Sequence, residues 1–380
     1  MLDILKSPFI SLITLWLIGS CIFAHSANAM DLRIRIAQSK KGFTIKGKDL
    51  VYKSSIGRNK SSKLGSIKIV CPKGKKEPGV YFEIESKKKK VSWENQDYPG
   101  RFLVSIDPKG RCELINELDL EDYITMVVSK EMHPSWPIES LKAQAVAART
   151  YAIDSMLSGV IRNKLGYKPP YHMINSQLFQ VNSSWSDVRL KALAAIDQTR
   201  GEILVDNKGK IIPLFYHSKC GGRTLTPDKV WGKKIAGYQS VSCPFCHGHG
   251  KRDWKFQLSH KKIERIINKL QKKRSRKLAS KSVNLLASNF NDNNVRFEID
   301  QLNKDSVKKE KLRQAIGGDK AFSNYFKLIK QEYGFEVEGK GHGHRVGLCQ
   351  FGAYEMAKRK RKYKDILSYY YPRFKTAHMK

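Results

Sequence analysis

Apolar and polar positions change their period twice along this chain. From Leu32 to Leu118 the pattern is mostly alternating: Leu32, Ile34 and Ile36 are separated by Arg33 and Arg35. Val80 to Glu85 and Arg101 to Ile106 repeat the alternation, so the region reads as strands with one buried face. Lys53 to Ser66 and Lys87 to Lys90 are polar breaks. From Leu118 to Ala152 the period becomes helical. Leu120, Tyr123, Ile124, Val127 and Val128 recur at i, i+3, i+4, i+7 and i+8, which marks one face of a helix. Asp119 is placed to cap it, and Glu121 and Asp122 occupy the opening turn, where the helix dipole favours acids. A proline-bounded corner leads to a second helix opening at Pro137. Ala143, Ala145, Ala147, Ala148 and Ala152 crowd that helix, with Arg149 the one charge among them. Beyond it, Val188 to Thr199 predicts an amphipathic helix. Glu202 to Val205 and Ile211 to Tyr216 predict a hairpin around Asp206-Asn207-Lys208-Gly209. Two lysine-rich helices (His260 to Arg276 and Ser306 to Ala315) are expected around a strand at Val295 to Ile299, and a closing helix from Ala353 to Tyr371. The expected class is α+β, a mixed domain with a central helix pair behind a β-rich N-terminal region.

Composition and the N-terminus add a compartment. Met1 to Ala29 contains Lys6, an apolar run from Phe9 to Ile18, and Ala27-Asn28-Ala29, the layout of a secretory signal. Ile18-Gly19-Ser20-Cys21 offers an alternative, lipoprotein processing at Cys21. The apolar run is short for a membrane span, and no other stretch is long and apolar enough, so no transmembrane helix is expected in the mature chain. The expected segments are 1–29 signal peptide, 30–113 β-rich region, 114–371 catalytic domain and 372–380 tail, in a protein exported to the periplasm or cell envelope. The net charge of +36 survives signal removal, because Asp3 and Lys6 cancel. Its lysines are scattered rather than gathered in one motif, which, with export, argues against a nucleic-acid partner.

Candidate chemistry gathers at three places. Glu131 follows Val127 and Val128 by four and three residues, on the apolar face of the first helix. A carboxyl there is partly desolvated, which raises its pKa towards that of a general acid. The alternative is a buried acid paired with Arg149. His217, Cys220, Cys243, Cys246, His247 and His249 form the second place. Cys243-Pro-Phe-Cys246 has metal-ligand spacing, and Cys220 with His217 could complete a structural zinc site. The exporting compartment equally suits a disulfide from Cys220 to Cys243 or Cys246. Cys71 and Cys112 are a second candidate disulfide. A catalytic zinc is disfavoured, since no His-Glu-x-x-His arrangement is present. The third place is Gly339, Gly341, Gly343 and Gly347, a loop whose backbone can approach a ligand closely. Tyr369-Tyr370-Tyr371 near the end reads equally well as core or as surface.

The run LEDYITMVVSKEM…SWPIESLKAQAVAARTYA resembles the stage II sporulation protein D family, which includes amidase enhancers. The second block, GKGHGHRVGLCQFGAYEMA (Gly339 to Ala357), is similar to that family's glycine-rich block, and NSQLF and FYHSKCGGRT also fall in family order. The resemblance spans roughly Leu114 to Tyr371. It implies a peptidoglycan lytic transglycosylase with Glu131 as the catalytic acid; no cofactor is expected for that chemistry, and structural zinc stays an option on the cysteine spacing alone. Denuded glycan strands carry free lactyl carboxylates that the basic chain would favour. Arg149, Gln177, His344, Arg345 and Gln350 are the expected substrate-binding residues. Three loop positions depart from the family: His342 stands where an aromatic residue is common, Arg345 where a glycine is, and Cys349 where a small hydroxyl residue is. Asn175 stands near an expected acid, which weakens any second-carboxylate role; Asp187 and Asp228 are the remaining acids for one. The alternative function is a non-catalytic cell-wall binder that enhances a separate amidase.

Overall fold

The strand alternation at the start of the chain is realised as a mixed seven-stranded sheet. The computed structural model describes residues 30–55, 60–61, 65–72, 77–88, 90–175, 188–248, 253–272, 283–299 and 303–379. Across the sheet the order is Met173–Ile174, Asp31–Ser39, Cys112–Asp119, Arg101–Ile106, Gly79–Ser86, Leu50–Ser54, Lys60–Ser61. In Asp31–Ser39, Leu32 and Ile34 are buried. The arginines between them reach across the ladder, Arg33 to Glu117 and Arg35 to Glu113, the latter at 2.8 Å. Opposite charges facing one another across adjacent strands fix the register as well as adding stability. A four-stranded sheet, Ser66–Val70, Gly42–Lys46, Lys90–Trp93 and Gln96–Pro99, closes a core over Phe43, Ile45, Ile69, Phe102 and Val104. Cys71 and Cys112 are joined by a disulfide at its edge.

The strand Cys112–Asp119 runs straight into the helix pair, α1 (Leu120–Glu131) and α2 (Ile138–Leu157). Asp119 caps α1 as expected, its side chain accepting from the Glu121 N–H at 2.8 Å. Pro137 stands one position earlier than expected, as the N-cap of α2. Helix α2 is buried nearly all round, which a helix without a polar face requires. Leu141, Ala145, Ala148 and Ile153 face one core with α1, while Ala143, Val146 and Ala147 face another with Leu348, Tyr370 and Tyr371. Alanines on both faces allow neighbours to approach from both sides at once.

Shorter helices follow: α3 (Val160–Leu165), α4 (Leu190–Asp197), α5 (Pro227–Trp231), α6 (His260–Lys272), α7 (Lys309–Ile316), α8 (Gln350–Lys358) and α9 (Tyr363–Tyr370). Three local expectations are corrected. Glu202–Val205 pairs with the C-terminal strand Lys375–His378 and meets the expected hairpin partner only at a Val205–Ile211 bridge. Pro213 interrupts that partner and has no N–H for a ladder. The segment expected to be a helix from Ser306 is strand to Lys308 before α7 begins. The closing helix is two helices, broken where Lys360 takes a φ of +62°. In α6, Ile263 and Ile267 turn into a separate core with Phe297, Phe326 and Phe335. Among the described residues no helix is long and apolar enough to cross a membrane.

Candidate functional site

Glu131 is the last residue of α1, half-buried, with Val127 and Val128 beneath it. The negative end of the helix dipole lies at that terminus. The side chain facing it comes from the far end of the sequence. Gln350, the first residue of α8, turns its Nε2 to 3.4 Å from Glu131 Oε2 and 3.5 Å from Gln144 Oε1. Gln144, fully buried in α2, has no partner for its own Nε2. Two amides therefore gather beside one carboxyl at the meeting of α1, α2 and α8. Tyr123 lies close enough to feel it: burial pushes the Tyr123 hydroxyl well up, followed by the charges of Tyr151 and Glu131. Beside this cluster Trp136 packs on Phe351 and Tyr354, each at 5.0 Å between rings. Gln144 and the Trp136 cluster were missed in the sequence. A lone amide in an alanine-rich run was the available signal for Gln144, and nothing local marked the aromatic contact.

The other expected site residues divide. Gln177 lies outside the described residues, as do Asp187 and His249. Arg149 is fully buried and grips Glu121, with Nε at 2.9 Å and Nη2 at 2.6 Å, while Nη1 donates to the Glu202 carbonyl at 2.9 Å. A buried acid–arginine pair does exist on α1, but its acid is Glu121 and not Glu131. A guanidinium so enclosed does not suit contact with a glycan. Arg345 is likewise buried: it stacks on Tyr325 at 3.8 Å and donates to the Arg223 carbonyl from Nε and Nη2. Its φ of +67° lies in a region that few side chains tolerate. Burial pushes its pKa down to about 10. His344 packs against Phe215, His217 and Trp231, with the Val346 N–H donating to its Nδ1 at 3.1 Å. These contacts hold the ring within the loop. Asp228 is held below the usual carboxylate range, chiefly by a hydrogen bond from Thr226 in its own capping turn. Tyr370 and Tyr371 are core.

The cysteine cluster is completed by a residue other than the expected histidine. Cys220, Cys243, Cys246 and Cys349 place their sulfurs within 4.8 Å of one another, all four buried. Cys349 comes in because Tyr216–His217 pairs in parallel with Leu348–Cys349. His217 stays outside. Its Nδ1 contacts the Val346 carbonyl at 3.1 Å, and its Nε2 has no partner.

Burial lowers the His217 pKa to about 4 and pushes His344 well below its ordinary value. An unfolded histidine titrates near 6.5, so the unfolded state binds the extra protons first. Stability is therefore complete above that pH and falls as pH drops towards 4. For His217 alone the loss is on the order of 3 kcal/mol. Denaturant titrations between about pH 7 and about pH 4.5 should show the fall, and His217→Gln should flatten it. An unchanged slope in the variant would assign the loss elsewhere.

Comparison with known proteins fits this arrangement. The model of the family "Stage II sporulation protein" matches residues 108–205, which includes α1 and α2. An uncharacterized protein of Brachyspira hyodysenteriae is 32% identical over 360 residues, covering 91% of this chain and 92% of its own. Stage II sporulation protein D of Bacillus subtilis is 28% identical over 270 residues, covering 68% of this chain and 74% of its own. The amidase enhancer of the same organism is 27% identical over 301 residues, but this chain spans only 39% of its length.

Proposed function

Because the chain belongs to the stage II sporulation protein D family, we propose that it cleaves peptidoglycan glycan strands without water. The bond broken joins N-acetylmuramic acid to N-acetylglucosamine, and the products carry 1,6-anhydro ends. The observation that carries this reading is the contact of Glu131 with Gln350, one acid and one amide donor from the two sequence blocks that resemble the family. Glu131, protonated, donates to the glycosidic oxygen. As carboxylate it then takes the proton from the muramic C6 hydroxyl, which closes onto C1. The nucleophile belongs to the substrate, so one carboxyl serves in turn as acid and base. A hydrolase would need a second carboxyl at a set separation to hold water; Asp228, bonded into its own turn, is a poor candidate. The Gln350 amide can hold the Glu131 carboxyl in place, and the Gln144 Oε1 accepts from that same amide.

A second reading comes from the relative named amidase enhancer: a wall-binding protein that speeds a separate amidase. Mass spectrometry of purified glycan strands after incubation separates the readings. Anhydro ends support cleavage, and new reducing ends would make the protein a hydrolase. Intact strands together with a faster amidase would favour the second reading.

Strands stripped of stem peptides should be the preferred substrate. Exposed Lys130 and half-buried Lys340 offer positive charge, and denuded strands present a carboxylate on each muramic acid. Exposed charges are screened within about 8 Å at physiological salt, so cleavage of denuded strands should weaken as salt rises. Equal rates on denuded and peptide-bearing strands across a salt series would remove this preference. Reversing the charge of Arg345 would not test it, because that side chain is buried and the change would act through stability.

A further inference from the structure

We propose that Cys220, Cys243, Cys246 and Cys349 bind one structural zinc ion as four thiolates, with Cys349 as the fourth ligand in place of His217. The geometry is that of a tetrahedron awaiting its centre. Zinc–thiolate bonds of about 2.3 Å imply sulfur–sulfur edges of about 3.8 Å. Here Cys220 and Cys246 stand 3.5 Å apart and all four sulfurs lie within 4.8 Å. All four of these thiols are free, whereas Cys71 and Cys112 are joined in a disulfide.

The surroundings are those a charged sulfur cluster needs. Binding zinc takes one proton from each of four thiols and leaves a net charge of −2 in a buried place. The Cys220 N–H points to Cys349 Sγ and the Gly222 N–H to Cys220 Sγ, each at 3.4 Å, and the Tyr370 hydroxyl lies 3.1 Å from Cys243 Sγ. Gly221 and Gly222, with φ of +76° and +122°, let the chain fold back over the sulfur. Gly352 is required on the other side, because a Cβ there would meet Cys243 Sγ at 2.9 Å and the Tyr370 oxygen at 1.9 Å. Arg345 supplies charge: its guanidinium is buried and has no carboxylate partner among the described residues. Lys219, next to Cys220, is also buried. A lone buried guanidinium is costly by itself, and a dianionic cluster nearby offsets that cost.

The ion would tie three separate segments together: the turn after Tyr216–His217, the turn at Pro244–Cys246, and the start of α8. Gln350 directly follows Cys349, so, on the reading given under Proposed function, metal loss would also loosen the amide that faces Glu131. The test is independent of glycan cleavage. Native protein should carry ~1 zinc per chain with only the Cys71–Cys112 disulfide. Its cobalt-substituted form should show the absorption of a tetrahedral thiolate site. Cys349→Ser should lose the metal or change that spectrum, while His217→Gln should leave both unaltered. If Cys349→Ser fails to fold, the cobalt spectrum of the wild-type protein still distinguishes four sulfurs from three sulfurs and a nitrogen. Metal-free protein with blocked thiols, freely alkylated thiols in metal-replete protein, or metal lost only in His217→Gln would each overturn the assignment.

Discussion

Glu131→Gln is expected to lower glycan cleavage by about a thousand-fold or more while the protein melts close to wild type. General acid–base catalysis contributes roughly 10²–10⁴-fold, and here a single carboxyl is assigned both halves of the proton transfer. The side chains are nearly the same size, and Glu131 is only half-buried at a helix end, so little packing changes. Gln350 Nε2 keeps an acceptor in the new amide oxygen. The expected signature is a fall in kcat with KM little changed, because protonation chemistry is lost and binding is retained. Gln350→Ala should show a smaller fall, since it removes only the group that holds the acid. A Gln variant that keeps substantial activity would move the catalyst to another residue. One that unfolds would make Glu131 a structural acid.

Arg149→Met is expected to destabilise the protein by about 3–5 kcal/mol, a drop in Tm of roughly 10 °C. The reason is the carboxyl left behind. Glu121 is 7% exposed, and its two oxygens are held by Arg149, with the Gly201 N–H at 3.2 Å as the further donor. Removing the guanidinium strands a buried negative charge and frees the Glu202 carbonyl as well. The double variant Glu121→Leu with Arg149→Met should recover much of the loss, because replacing both members of a buried pair by apolar groups is often near neutral. Thermal melts of the two single variants and the double one measure this directly. If Arg149→Met instead melted normally and raised KM on glycan strands, the arginine would be a binding residue after all.

Sequence alone determined what is local. The cap at Asp119, the apolar stripe of α1 and the small residues of α2 are properties of neighbouring positions, and they were legible because helix periodicity needs only a few turns to show. The alternation in Asp31–Ser39 announced its buried face for the same reason. The α+β class followed from those elements, and the acid at Glu131 stood out because it broke an apolar stripe. Tertiary structure decided everything that depends on which distant segments meet. Glu131 and Gln350 are 219 positions apart, and Cys220 and Cys349 are 129 apart. No local pattern specifies such contacts, since they arise when separate cores and sheets close over one another. Arg149 and Arg345 show the same limit from the other side. Both looked available in sequence, and both are enclosed, one by Glu121 and one by Tyr325 and the Arg223 carbonyl. Charge type can be read from a residue's name, but its exposure belongs to the packing around it.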